Sequence, residues 1–262
     1  MLENKLLKDV NNAIDKEVLR GVTDITQKIK EDGRETFTKI EDFWKGVDED
    51  FDISDLEVYL EKPFLPRKGL LGNMLAGNVG NRVILSTRLA RESANIRTFI
   101  ITHEIVHFLT QGEDVEVNSK VHKRAGYALG HIGYGNSKDE IITKKEFFKY
   151  FNDGMDDWLT ILILGEKYKE FLKKDKGHGR LYELAKFLVV SVEDLLTQKE
   201  VIKDYINKEA KFMQAIHRKY GKHSITILNQ ISAINLEDTL EFFKTDDEAR
   251  RDELRSELLE NH

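Results

Sequence analysis

Two histidines set four residues apart in an almost wholly apolar run constrain this chain more than any other feature. The run is Phe99-Ile100-Ile101-Thr102-His103-Glu104-Ile105-Val106-His107-Phe108-Leu109. It predicts a helix, on which residues four apart stand one turn above each other on the same face. His103 and His107 can then reach one ion, and Glu104 points beside it. Ile100, Ile101, Ile105, Val106, Phe108 and Leu109 leave little polar face, so burial nearly all round is expected. Imidazoles and a carboxylate in such a place are costly unless something satisfies them, and a metal does so. The pattern calls for zinc, with Glu104 set to take a proton from a water rather than to ligate.

Composition bounds what else the chain can offer. No cysteine occurs in the 262 residues, so the fold depends on no disulfide and any transition metal must be held by histidine and carboxylate. A 40% hydrophobic, 9% aromatic chain of this length has ample core for one large domain or two small ones. Its formal charge of −6 and pI near 5.8 come without a basic stripe, which argues against nucleic acid as a partner. Met1-Leu2-Glu3-Asn4-Lys5 leads into an amphipathic stretch, and the apolar run Trp158 to Leu164 is too short to span a bilayer. The expectation is a cytoplasmic protein with no membrane partner.

Apolar residues at helical spacing predict helices over residues 3 to 46, broken at Gly21, Gly33 and Gly46. Leu56-Glu57-Val58-Tyr59-Leu60 alternates like a strand and is ended by Pro63 and Pro66. The glycines at 69, 72, 77 and 80 suggest a mobile loop, which leads into a short strand, Asn81-Arg82-Val83-Ile84-Leu85-Ser86. A free edge there can pair with an extended peptide; an ordinary sheet strand is the equal alternative. Ser93 or Asn95 can cap the pentad helix and Gly112 can close it. Residues 125 to 136 alternate glycine with aromatics, as a hairpin or irregular loop does, and carry His131, a minor candidate ligand. Thr143-x-x-Glu146, Thr197-x-x-Glu200 and Thr245-x-x-Glu248 match the capping-box pattern, and the chain beyond Leu164 reads as helical to its end.

A catalytic zinc site takes three protein ligands and leaves a fourth position open, so two histidines are not enough. The metzincin pattern needs glycine and histidine three and six residues after His107, where this chain has Thr110 and Glu113. That leaves an acid on a second helix: Glu116, Glu140, Glu146, Asp153, Asp156, Asp157 or Glu166. Among these, Asn152-Asp153-Gly154-Met155-Asp156-Asp157-Trp158-Leu159-Thr160 resembles the Asn-Glu-Gly motif that follows His-Glu-x-x-His in gluzincin metallopeptidases, including small minigluzincin-like proteins. The resemblance covers roughly residues 81 to 165, with aspartate in place of both glutamates. It implies that Asp153 is the third zinc ligand; the aspzincins also ligate through aspartate. Asp157, one turn on, is placed to accept from a ligand histidine.

The resemblance further implies a zinc-dependent peptidase acting on a peptide or protein substrate, with Glu104 as general base and a tyrosine or histidine stabilising the oxyanion. Tyr150, His178, Tyr182, His217, Tyr220 and His223 are available, and Tyr182 is the preferred donor. The expected fold is α+β and zincin-like, a small twisted sheet from about residues 55 to 86 packed on the active-site helix, with a mainly helical lower subdomain. The expected segments are 1–50, N-terminal and helical; 51–165, the catalytic core; and 166–262, a C-terminal helical subdomain. The competing expectation is a zinc-stabilised interaction or sensor module with little turnover.

Overall fold

The computed structural model describes residues 19–47, 57–61, 75–79, 82–110, 115–117, 120–134, 141–221 and 223–260. The expectations for residues 3–18, for Pro63 and Pro66, for glycines 69, 72, 80 and 112, and for Glu140 lie outside them.

By internal contacts the chain divides into two compact units, Met1–Leu109 with Thr160–Phe171, and Thr110–Leu159 with Leu172–His262. The first contains helix α1 (Leu19–Lys45), strands β1 (Glu57–Glu61), β2 (Ala76–Val79) and β3 (Arg82–Ser86), a 3-10 turn at Thr87–Arg91, and helix α2 (Ala94–Leu109). Helix α1 runs unbroken through Gly21 and Gly33, where breaks were expected. A helical glycine costs only about 1 kcal/mol relative to alanine. The face carrying Phe37, Ile40 and Trp44, all buried, outweighs that cost by packing along α2. Two buried polar links tie these helices: the Arg97 guanidinium to the Asp32 carboxylate, and the Thr102 and Thr36 hydroxyls 3.3 Å apart. Ser93 caps α2, accepting from the Ile96 N–H at 3.4 Å. Residues 96–103, 105 and 106 of α2 are buried, as the apolar run requires.

The sheet of the first unit has the order β1-β3-β2, with β1 parallel and β2 antiparallel to β3. Strand β3 is therefore central, and both its edges are already paired. This corrects the expectation that Arg82–Ser86 offers an edge to an extended substrate. Ala76–Val79, expected within a loop, forms the antiparallel neighbour.

The second unit opens with an antiparallel sheet ordered β4-β5-β6-β7: Val115–Val117, Lys120–Ala125, Ala128–Tyr134 and Ile141–Phe147. Residues 143–146 are paired in β7, so the Thr143 capping box does not form. Helix α3 (Lys149–Leu164) follows, and its last five residues fall in the first unit. Then come a 3-10 turn (Glu166–Tyr168) and helices α4 (Glu170–Lys174), α5 (Lys176–Ser191), α6 (Gln198–Ile206), α7 (Lys211–Tyr220), α8 (Ser224–Asn229), α9 (Leu236–Lys244) and α10 (Glu248–Glu260). The Thr197–Glu200 capping box forms completely, whereas Asp247 rather than Thr245 caps α10.

The expected α+β zincin-like fold is overturned. Of the residues whose side chains are described, 77% are helical. Among the described residues, the buried apolar side chains from strands are Ala76, Val83 and Leu85. The reason is the 3.6-residue apolar repeat, which runs from Phe151 to Leu258 and is buried helix against helix. Among the described residues, no helix is long and apolar enough to cross a membrane.

Candidate metal centre

Helix α2 presents the pentad as its spacing dictates. His103 and His107 have ring centroids 4.4 Å apart and nearly perpendicular planes, and His103 also stacks on Phe99. His103 is buried, while Glu104 and His107 are half-buried.

The second set of groups belongs to α3 and α5. Asp157 is wholly buried, and its Oδ2 accepts from the Nδ1 of His178 at 2.8 Å. Two backbone features make that contact. The Asp175 carboxylate caps α5, accepting from the N–H groups of Gly177 at 3.0 Å and His178 at 3.1 Å, so the helix starts just ahead of the histidine. Gly154 lets α5 approach α3, since a Cβ at that position would stand 2.6 Å from the Leu181 carbonyl oxygen. Burial alone would lower the His178 pKa. The hydrogen bond to Asp157 and the charges of Asp157, Asp175 and Asp153 outweigh it and lift the ring to about 9.

The other polar residues of the Asn-Asp-Gly stretch are engaged in a buried network. Asn152 Oδ1 accepts from the backbone N–H of Tyr127 at 3.0 Å and of Ala128 at 3.4 Å, holding the β5–β6 turn. Its Nδ2 donates to Asp156 Oδ2 at 2.9 Å. The Tyr205 hydroxyl, on α6, donates to Asp156 Oδ1 at 2.7 Å. Burial first, and then the Asp156 charge, push the Tyr205 phenol well above its ordinary range, so it remains a donor at working pH. Gly126 sits at φ +52, and a Cβ there would collide with the Tyr205 ring and with Asn152 Oδ1.

Within the second unit, Asp157 and His178 stand as a carboxylate and an imidazole that could each offer one ligand atom to a metal ion. Of the residues expected from sequence, Asp157 is one of this pair. His107, Glu104, Asp153 and Tyr182 are not. Asp153, to which the family resemblance points, is half-buried one turn before Asp157, and its charge acts on His178. Tyr182 is a buried residue of α5 with Lys186 Nζ 5.8 Å above its ring. Glu166 is exposed and paired with Lys169. The side chains of Glu116, His131 and Glu146 lie outside the described residues. What sequence reasoning missed is the pairing of His178 with Asp157. The Asp175-x-x-His178 helix start between two glycines, 177 and 179, was its only local signal.

Comparisons with protein-family models, with curated proteins and with solved structures find no match to this chain.

Proposed function

We propose that this chain is a zinc-dependent metallopeptidase. The observation that carries the reading is that the second unit wholly buries a carboxylate, Asp157 in the stretch that the His-Glu-x-x-His pentad calls on for an acid, and pairs it with the imidazole of His178. The donor chemistry fits zinc, which takes imidazole nitrogen and carboxylate oxygen in three-ligand catalytic sites. In this proposal His103 and His107 hold the ion, Asp153 completes the set, and Asp157 is the acceptor for a ligand histidine, as hydrogen-bonded carboxylates are in such sites. The bound ion would supply an acidified water and a polarised carbonyl. Glu104 accepts the proton of the attacking water and delivers it to the leaving amine. Tyr182 is proposed as the donor to the oxyanion, a role that tyrosine or histidine fills in such sites. The substrate class is a peptide or protein. No Gly-x-Met-x-Asn sequence of the aminopeptidase kind is present, which favours endopeptidase action. A cytoplasmic setting belongs to the same proposal.

A second arrangement is favoured by the Asp157–His178 pair: these two residues hold the ion. Metal analysis of three variants separates the two. In the first arrangement His107→Ala and Asp153→Ala lose zinc and His178→Ala keeps it. In the second, His178→Ala loses zinc while the other two keep it. A wild-type chain that takes up no zinc overturns both. A reading of another class, a zinc-stabilised binding or sensor module, predicts zinc uptake with no hydrolysis of quenched peptide substrates by wild type.

A further inference from the structure

Three acids stand within five residues of α3, at 153, 156 and 157, and Asp156 and Asp157 are both wholly buried. Burying one carboxylate beside another is costly, and shape alone does not require it: asparagine has the outline of aspartate. Asp156 is instead the point where separate parts of the second unit meet. It accepts from Asn152 on its own helix and from Tyr205 on α6, and the Thr110 hydroxyl lies 3.5 Å from its Oδ1. Asn152 fastens the same helix to the β5–β6 turn, and there the Tyr127 hydroxyl reaches on to Asp204 at 2.7 Å. Asp156 and Asp157 are consecutive on a rigid helix, so a rotation of α3 that breaks the Tyr205 bond also moves the Asp157 carboxylate.

We infer that Asp156, Tyr205 and Asn152 are positioning residues: they fix the rotation of α3, and with it the acids at 153 and 157, for a divalent cation. The Asp156 charge adds to the local negative potential that favours the cation. The inference rests on the metal reading above and goes beyond it, because these residues are not ligands. Groups that orient ligands in this way are worth about 10–100-fold in metal affinity.

The test is zinc affinity by competition with a chromophoric chelator, together with the visible absorption spectrum of the Co2+-loaded protein. Both are measured well below the unfolding temperature. Tyr205→Phe keeps the ring and removes the donor, and is expected to weaken zinc about tenfold and shift the Co2+ bands. Asp156→Asn is expected to weaken zinc at least as far, and serves alone if Tyr205→Phe does not fold. Thr197→Ala, at a helix cap outside the network, lowers stability and should leave affinity and spectrum unchanged. Unchanged affinity and spectrum in the folded network variants overturn the inference. A wild-type protein that binds neither ion overturns the metal reading itself.

Discussion

Helices α2 and α3 are both 16 residues long and both buried along much of their length, yet they reach that burial by opposite means. Helix α2 does so with apolar side chains: Ile96, Phe99, Ile100, Ile101, Ile105 and Val106. Among its buried polar residues, Thr102 bonds within the helix at 2.8 Å and Arg97 is paired with Asp32. Helix α3 places Asn152, Asp156, Asp157 and Thr160 among Phe151, Met155, Trp158 and Leu159. The partners of those polar groups come from far along the chain: Tyr127, His178 and Tyr205. A helix buried mostly through its own apolar pattern, as α2 is despite the distant partners of Arg97 and Thr102, advertises its place in the sequence. A helix satisfied by distant partners does not, because only the fold says which acid is a fixture and which is a reagent.

The sharpest way to break that comparison is at Glu104, where the chemistry assigned to α2 is local. Glu104→Gln should lower peptide hydrolysis about 10^2–10^4-fold, the range for loss of a general base, while zinc content stays at the wild-type level. Loss of zinc as well would make Glu104 part of the metal-holding structure. Hydrolysis at the wild-type rate would remove the pentad from the chemistry altogether.

Next in size is the buried pair of the first unit. Asp32→Asn leaves the Arg97 guanidinium buried without its counter-charge, and the expected loss is about 3 kcal/mol, read from urea unfolding. A loss below ~1 kcal/mol would mean that water reaches the pair, and that α2 is less dependent on this link than its burial indicates.

What the sequence revealed follows the same division. The pentad and its apolar helix, the Ser93 cap and the Thr197 capping box were readable because each depends on residues three or four apart. The Asn-Asp-Gly stretch was readable as a motif but not as a set of roles. Asn152 and Asp156 are held by a turn and by a helix 25 and 49 residues away, a separation that no local pattern encodes. The fold class was misjudged for a related reason. The alternation at 56–60 and the β-branched run at 81–86 do lead to strands, Glu57–Glu61 and Arg82–Ser86, but a short alternating run carries no information about the helices that dominate the rest of the described chain. Gly21 and Gly33 read as breaks because propensity is local, while the packing that overrides it is not.

Helix α3 can be tested where it meets its distant partner. Gly154→Ala inserts a methyl group 2.6 Å from the Leu181 carbonyl oxygen, and pushing α5 back is expected to cost about 1–3 kcal/mol. The same change should uncouple His178 from Asp157. In the metal-free wild type, His178 titrates near 9 instead of 6.5. Its pairing therefore adds stability that is complete below pH 6.5 and is lost as pH rises through about 9. Asp157→Asn should return the imidazole midpoint, followed by NMR, toward 6.5 and flatten the fall in melting temperature across that window. A wild-type midpoint already at 6.5 would show that the pair does not form in solution.

The smallest effect belongs to Thr197→Ala, and it separates local from distant support most cleanly. The Thr197 hydroxyl accepts from the Glu200 N–H at 3.4 Å, and Glu200 Oε2 accepts from the Thr197 N–H at 2.8 Å, so one side chain organises the first turn of α6. Its loss should cost about 1 kcal/mol, and cap replacements seldom exceed 2. Tyr205 lies eight residues further along the same helix, wholly buried, where its position is set by Asn152 and Asp156 rather than by the cap. Fraying of the first turn should therefore lower the urea midpoint while leaving the Tyr205 hydroxyl on Asp156. If Thr197→Ala instead disturbs that bond, read as a change in Tyr205 hydroxyl exchange by NMR, the network is only as firm as the helix end that supports it. Distant support would then depend on a local signal after all.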